Sequence, residues 1–177
     1  MVSSITLKNL IIGYRSKHQL RAIASPVHTS LQAGELTCLI GANGVGKSTL
    51  LRTLAGFQPA LDGEILIQDK SLSDFSAQEL AREISIVLTS KTDHAQLSAE
   101  EIVGIGRSPY TGFWGTLSAA DKQIVASALQ KTGIQHLAQR NISKLSDGER
   151  QKVMIAKALA QQTRIIILDE PTAFLDF

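Results

Sequence analysis

A single cysteine, Cys38, excludes an intrachain disulfide, and no cysteine or histidine pair stands at the spacing of a zinc site. An excess of one charge is lacking as well. Eighteen basic against sixteen acidic side chains leave +2, so nucleic acid is not expected as the main partner. The longest wholly apolar stretches, such as Ile165–Leu168, fall far short of the roughly 18 residues that a spanning helix needs. Met1 leads into Ser, Thr and alternating Ile and Leu, without the basic region and apolar core of a secretory signal. There is no internal repeat, low-complexity tract or interdomain linker. What is there, 44% hydrophobic and 19% charged over 177 residues, predicts one soluble α/β domain of a reducing compartment.

The first third reads as strands. Ile5, Leu7 and Leu10 alternate with polar neighbours, Glu35–Ile40 is an apolar run of buried-strand length, and Glu64–Gln68 alternates after the Asp62-Gly63 turn signal. From about Ser71 the pattern turns helical. A serine followed three residues later by an acid recurs at Ser76/Glu79, Ser98/Glu101, Ser118/Asp121 and Ser146/Glu149. Each predicts a capping box, with Asp121 the least regular because a strict box has Glu or Gln there. Ile124, Val125, Ala128 and Leu129 share a helical face that Gly133 ends. Two apolar runs, Ile84–Leu88 and Arg164–Leu168, read as strands covered on both faces, hence parallel.

Two motifs carry chemistry. Gly41, Gly46, Lys47 and Ser48 fit G-x-x-x-x-G-K-[ST], with the expected strand before and a helical pattern, Ser48–Gly56, after. In such a loop the backbone N–H groups of Gly41, Ala42, Asn43, Gly44, Val45, Gly46, Lys47, Ser48 and Thr49 can turn toward phosphate oxygens. The helix N-terminus adds partial positive charge. Lys47 then binds the β and γ phosphates, and the Ser48 hydroxyl is a Mg²⁺ ligand. Asp169 and Glu170 follow the run Ile165–Leu168, at the carboxyl end of a strand, where α/β sheets bind ligands. One carboxylate suits Mg²⁺ and the other the activation of water.

With Leu145-Ser146-Asp147-Gly148-Glu149 between them, these residues resemble the ATP-binding cassette (ABC) ATPases, in family order over essentially the whole chain. The resemblance implies a P-loop NTPase fold in the α/β class. It has a parallel core sheet, an N-terminal antiparallel β subdomain and an inserted helical subdomain, with the final strands absent. It divides a single domain into a nucleotide-binding core, 1–88 and 163–177, and a helical part carrying the signature motif, 89–162. It also implies ATP and Mg²⁺. Lys47 and Glu170 act in catalysis, Ser48, Asp169 and Thr89 serve the metal, and Tyr14 stacks on adenine; a strand-end core aromatic is the alternative for Tyr14. Ser146 and Gly148 contact the γ-phosphate held by an opposing subunit, and Asp176 communicates across that interface. The partners implied are a second copy or a homologous subunit and an integral-membrane permease, at the inner face of the cell membrane.

The segment from Glu101 to Gly115, with Glu149-Arg150-Gln151, is similar to the importers of iron–siderophore, haem or cobalamin type. Its aromatics Phe113 and Trp114 either form a docking surface for a membrane partner or pack under their own loop. The chain departs from the family pattern in three places. Thr89 stands where a glutamine is usual, and Asp147 where the signature has glycine. Third, the sequence ends one residue after Asp176, and none of His18, His28, His94 or His136 can be the histidine that the family places further on. The expectation is a portion of a longer product that binds ATP weakly, turns it over poorly and self-associates. A soluble ABC ATPase without a permease and a non-catalytic nucleotide-binding module remain as alternatives.

Overall fold

The computed structural model describes residues 3–16, 19–88 and 96–171, in two compact units divided between Leu80 and Ala81. The first contains β1 (Ser3–Ile11), β2 (Gly13–Arg15), β3 (Leu20–Ala22), β4 (Val27–Gln32), α1 (Lys47–Leu54), β5 (Asp62–Ile67) and β6 (Lys70–Ser71). Strands β4-β1-β5-β6 form one antiparallel sheet, and β2 and β3 form a separate hairpin. Burial along β1 changes phase, from Ile5 and Leu7 to Leu10 and then Ile12 just beyond it. Asn9 causes the switch. Its φ of 49° is left-handed, and both ladders of β1 shift register beside it. A bulge of this kind turns the following side chains to the opposite face.

The expected strand over Glu35–Ile40 does not form. These residues run without regular secondary structure, and Leu36 and Ile40 are 91% and 90% exposed. A strand buried on both faces needs hydrogen-bonded neighbours, and none of the paired strands described takes this segment as a partner. The apolar run alone therefore does not make a strand.

Helix α2 (Ala77–Glu83) runs across the division and leads into β7 (Ile84–Val87). The second unit continues with α3 (Ala99–Ile105), α4 (Ala119–Lys131), α5 (Asp147–Ala160) and β8 (Ile165–Leu168). Ile102, Val103, Val125, Leu129, Val153 and Ala156 form the centre of its core, so the predicted face of α4 packs inward. All four expected capping boxes are present. At Ser98, Ser118 and Ser146 the hydroxyl accepts from the backbone N–H three residues on, and the acid there accepts from the serine N–H. Ser76 and Glu79 exchange the same pair of bonds. Each cap is worth about 0.5–2 kcal/mol to its helix.

Strands β7 and β8 pair in parallel, Ile84 opposite Ile165 through Val87 opposite Leu168. The parallel expectation holds for this pair. The expectation of cover on both faces does not hold for β8, because Ile166 and Leu168 are exposed while Ile167 is buried. The run of β8 therefore alternates as a half-buried strand does, whereas Ile84, Ser85 and Val87 of β7 are all buried.

Candidate functional site

The P-loop is organised by its own lysine. Lys47 opens α1, and its Nζ donates to the carbonyl oxygens of Gly41 at 2.7 Å and Ala42 at 2.9 Å. The loop Gly41–Gly46 is thereby closed over the head of the helix. Gly46 is the residue before α1, with φ 106° and ψ 9°. A side chain there would be strained, and its Cβ would also meet Ile23 Cγ2 at 2.5 Å. No side chain caps α1, and its first turn contains no acid. A helix head of this kind has outward-directed N–H groups and partial positive charge without a built-in counter-anion, which suits phosphate. Asn43, Gly44 and Val45 are exposed at the turn of the loop, and Ser48 and Thr49 follow Lys47 inside the first turn.

Tyr14 lies beside this loop. Its hydroxyl and Thr49 Oγ1 share a hydrogen bond of 3.2 Å, and its ring is more than half exposed. It is therefore no core aromatic. The Gln58 side-chain amide donates to the Gly13 carbonyl and so holds the start of the same hairpin.

In the second unit the two adjacent carboxylates are divided by environment. Asp169 follows β8, is 6% exposed, and its N–H donates to the Val87 carbonyl at 2.9 Å, continuing the parallel ladder. Glu170 is exposed and left-handed, with φ 49°. A non-glycine residue in that region costs of order 1–3 kcal/mol. A buried carboxylate suits a metal or a fixed dipole, and an exposed one beside it can take a proton from water.

Ser146 is the residue before α5. Its Oγ accepts from Glu149 N–H at 3.3 Å, and Glu149 Oε2 accepts from Ser146 N–H at 2.8 Å. The backbone and then the side chain of Ser146 hold the Glu149 pKa below its ordinary value. The same box stands at Ser98 and Ser118, so capping geometry alone does not set Ser146 apart. Asp147 pairs with Arg150 NH1 of its own helix at 3.2 Å, and Gly148 lies half-buried in the first turn. Thr89 and Asp176 lie outside the described residues.

The chemistry of the P-loop residues suits the nucleotide that the resemblance implies. Each taken by itself, Ser48 in the first unit offers a hydroxyl and Asp169 in the second a carboxylate oxygen, donors of the hard kind that Mg²⁺ prefers. Among the described residues no group of three His, Cys, Asp or Glu forms a protein cage. Mg²⁺ commonly lacks one, because substrate phosphates and water complete its shell.

Three residues outside the motifs are placed by the geometry. Phe113 and Trp114, 96% and 88% exposed, stand edge to face with ring centroids 5.5 Å apart. They do not pack under their own loop. Arg107, unremarked in the sequence, is buried and ion-paired to Asp121 at 2.8 Å. The only hint of it was the Asp in the Ser118 box, whose shorter side chain leaves one oxygen facing inward.

The sequence pattern of the ABC transporter family matches residues 24–173. The chain is 36% identical over 175 residues to the iron(3+)-hydroxamate import ATP-binding protein FhuC of Bacillus subtilis, covering 99% of this chain and 64% of that protein. It is 35% identical over 175 residues to the ferric enterobactin transport ATP-binding protein FepC of Escherichia coli, covering 99% and 63%. Its fold matches the dimeric post-hydrolysis structure of the cassette MJ0796 bound to ADP and Pi, with TM-score 0.82, 27% identity and coverage of 97% and 76%. The chain spans 57–64% of the length of the first curated relatives it matches. No helix among the described residues is long and apolar enough to cross a membrane. With the P-loop, the capped signature serine and the carboxylate pair in family order, the chain belongs to the ABC transporter ATPase family.

Proposed function

We propose that this protein is the ATP-binding and ATP-hydrolysing subunit of an importer for iron–siderophore, haem or cobalamin-type cargo. The observation that carries the ATP reading is Lys47. It heads an uncapped, acid-free α1 and closes the Gly41–Gly46 loop on its own carbonyls. A nucleotide polyphosphate is the ligand whose charge such a loop and lysine complement.

In this reading Gly41–Thr49 bind the phosphates and Tyr14 stacks on the base. Ser48 and Asp169 would hold Mg²⁺, with Thr89 as a further ligand; when bound, the ion neutralises charge between the β and γ phosphates. Glu170 accepts the proton of the attacking water. Ser146 and Gly148 serve the nucleotide of a second copy or a homologous subunit, and Asp176 works across that contact. Phe113 and Trp114 dock on a permease at the inner face of the membrane. The hydroxamate and enterobactin relatives support the cargo class. Asp147, which with Thr89 and the missing histidine favours a non-catalytic module, pairs with Arg150 of its own helix.

The test is ATP affinity and steady-state phosphate release by the full-length product, alone and with Lys47→Ala, followed by uptake of ferric hydroxamate in cells with and without the gene. Binding and turnover that both vanish with Lys47 support the ATPase. A parent that binds but never turns over makes it a nucleotide-binding module. Unchanged hydroxamate uptake removes that cargo alone.

A further inference from the structure

Outside the nucleotide motifs, one buried guanidinium gathers the ends of three helices. Arg107 follows the end of α3 and is 5% exposed. Its Nε donates to Asp121 Oδ1, in the first turn of α4, at 2.8 Å. Its NH1 donates to the Ala160 carbonyl at the end of α5, at 2.9 Å, and to Gln162 Oε1 at 3.1 Å. The Tyr110 ring lies 4.0 Å below the guanidinium carbon. Asp121 is held in turn, its Oδ2 accepting from Ser118 N–H at 3.0 Å and from Ser118 Oγ at 2.6 Å.

The backbone is shaped to bring this charge in. Gly106 passes so close to α5 that a Cβ there would stand 2.3 Å from the Lys157 carbonyl oxygen. Only glycine permits that approach, and it delivers Arg107 to the last turn of α5. Gln162, the residue that Arg107 grips beyond the helix, is itself left-handed, with φ 54°. It makes the turn from α5 into β8. Next to it, the Gln161 side chain donates to the carbonyls of Ala81 at 2.6 Å and Ile84 at 3.0 Å, and so ties the same turn to the start of β7.

A buried cation that only filled space would be replaceable by an apolar side chain of similar size. This one is spent on fixing a turn. At one side of that turn α5 runs back to Ser146, and at the other β8 runs forward to Asp169. Fourteen helical residues span about 21 Å, so a tilt of about 10° at the Arg107 end would move the Ser146 end by about 3.6 Å. A misplacement of about 1 Å can already cost 10²-fold in a reaction that depends on alignment.

We propose that Arg107 is a positioning residue for ATP-driven closure: by fixing the α5–β8 turn through Ala160 and Gln162, it sets where Ser146 stands relative to Asp169. The inference rests on the reading of Ser146 and Asp169 given under Proposed function. There Asp169 serves the nucleotide of its own chain and Ser146 that of the opposing chain. The turn under Arg107 is then the part of the chain that joins the two sites.

The experiment uses the full-length protein with Glu170→Gln, so that bound ATP is not consumed, with and without Arg107→Lys. A lysine keeps the charge for Asp121, but its single ammonium cannot address Asp121, Ala160 and Gln162 from one plane as the guanidinium does. Two quantities are read: the affinity of the single chain for a fluorescent ATP analogue, and the ATP concentration that drives dimer formation in sedimentation. We expect single-chain affinity within about two-fold of the parent, and a dimer that needs about ten-fold more ATP or fails to form. A loss of general stability alone would not split the two readings in this way. Dimer formation within about two-fold of the parent overturns the inference.

If Arg107→Lys does not fold, Gln162→Ala removes one arm at an exposed residue, and a shift of about two- to five-fold in the dimer reading is expected; no shift overturns the inference. A parent that binds no ATP overturns the proposed function. A parent that binds ATP yet never dimerises overturns the opposing-chain role of Ser146 and this inference with it.

Discussion

The Tyr14 hydroxyl and Thr49 Oγ1 stand 3.2 Å apart, so the ring proposed to stack on the base is tethered to the first turn of α1. Thr49 is buried and Tyr14 is open to solvent. The tether fixes one end of a ring that is otherwise more than half exposed. Tyr14→Phe keeps the face and loses the tether, and ATP affinity should fall by no more than about five-fold, the worth of one neutral hydrogen bond. Tyr14→Ala loses the face, and base stacking of about 1–3 kcal/mol goes with it. Titration with a fluorescent ATP analogue separates the two, and equal losses would contradict a stacking role.

Lys47→Ala removes two hydrogen bonds that close the loop and the charge offered to phosphate. Charge-assisted bonds contribute about 1.5–3 kcal/mol each, so ATP affinity should drop by at least about ten-fold. Calorimetry on the full-length protein measures it.

Glu170→Gln should leave ATP binding near the parent value and lower turnover by about 10²–10⁴-fold, the usual worth of a general base. Phosphate release under saturating ATP checks this. Retention of more than about a tenth of the parent rate would move the base elsewhere.

The carboxyl of Asp121 is held down to about 2 from an ordinary 3.8, first by the Ser118 hydroxyl and then by Arg107. A carboxylate depressed in the folded state contributes stability that is complete above its unfolded value and is lost as pH falls through the folded value. The contribution of Asp121 should therefore disappear between about pH 4 and pH 2. Glu79, Glu101 and Glu149, lowered by the backbone and hydroxyl bonds of their own caps, act in the same direction. Thermal melts of parent and Asp121→Asn across pH 2–6 should converge at the acid end. Parallel curves would show that the carboxylate is not the acid-sensitive group.

Trp114 is the one tryptophan of the sequence, which makes the aromatic loop directly observable. At 88% exposure its emission should be that of a solvated indole and be quenched efficiently by acrylamide. Permease binding should shift the emission to the blue and protect it, and Phe113→Ala with Trp114→Ala should abolish co-purification with the membrane subunit. Unchanged quenching in the complex would place the docking surface elsewhere.

What the sequence made legible is local. A serine and an acid three residues apart decide a cap between themselves, and all four caps are present. The Gly41–Ser48 spacing likewise determines a loop and helix head from neighbouring residues. Burial of Glu35–Ile40 is another matter, because an apolar run states a preference while the ladder that satisfies it belongs to other strands. The bulge at Asn9 escaped for a similar reason, since asparagine only tolerates the left-handed conformation that the two flanking ladders impose. Arg107 was hidden most completely. Its acceptors lie 14, 53 and 55 residues away, and nothing near Arg107 in the chain announces them.

The left-handed backbone of Glu170 has a consequence for variants that arise by chance. Glycine, asparagine and aspartate all accept that conformation more readily than glutamate, so replacing Glu170 with one of them should raise the melting temperature. The same replacements remove the candidate base. Selection for sturdiness alone would therefore drift, at this position, toward a protein without the proposed base.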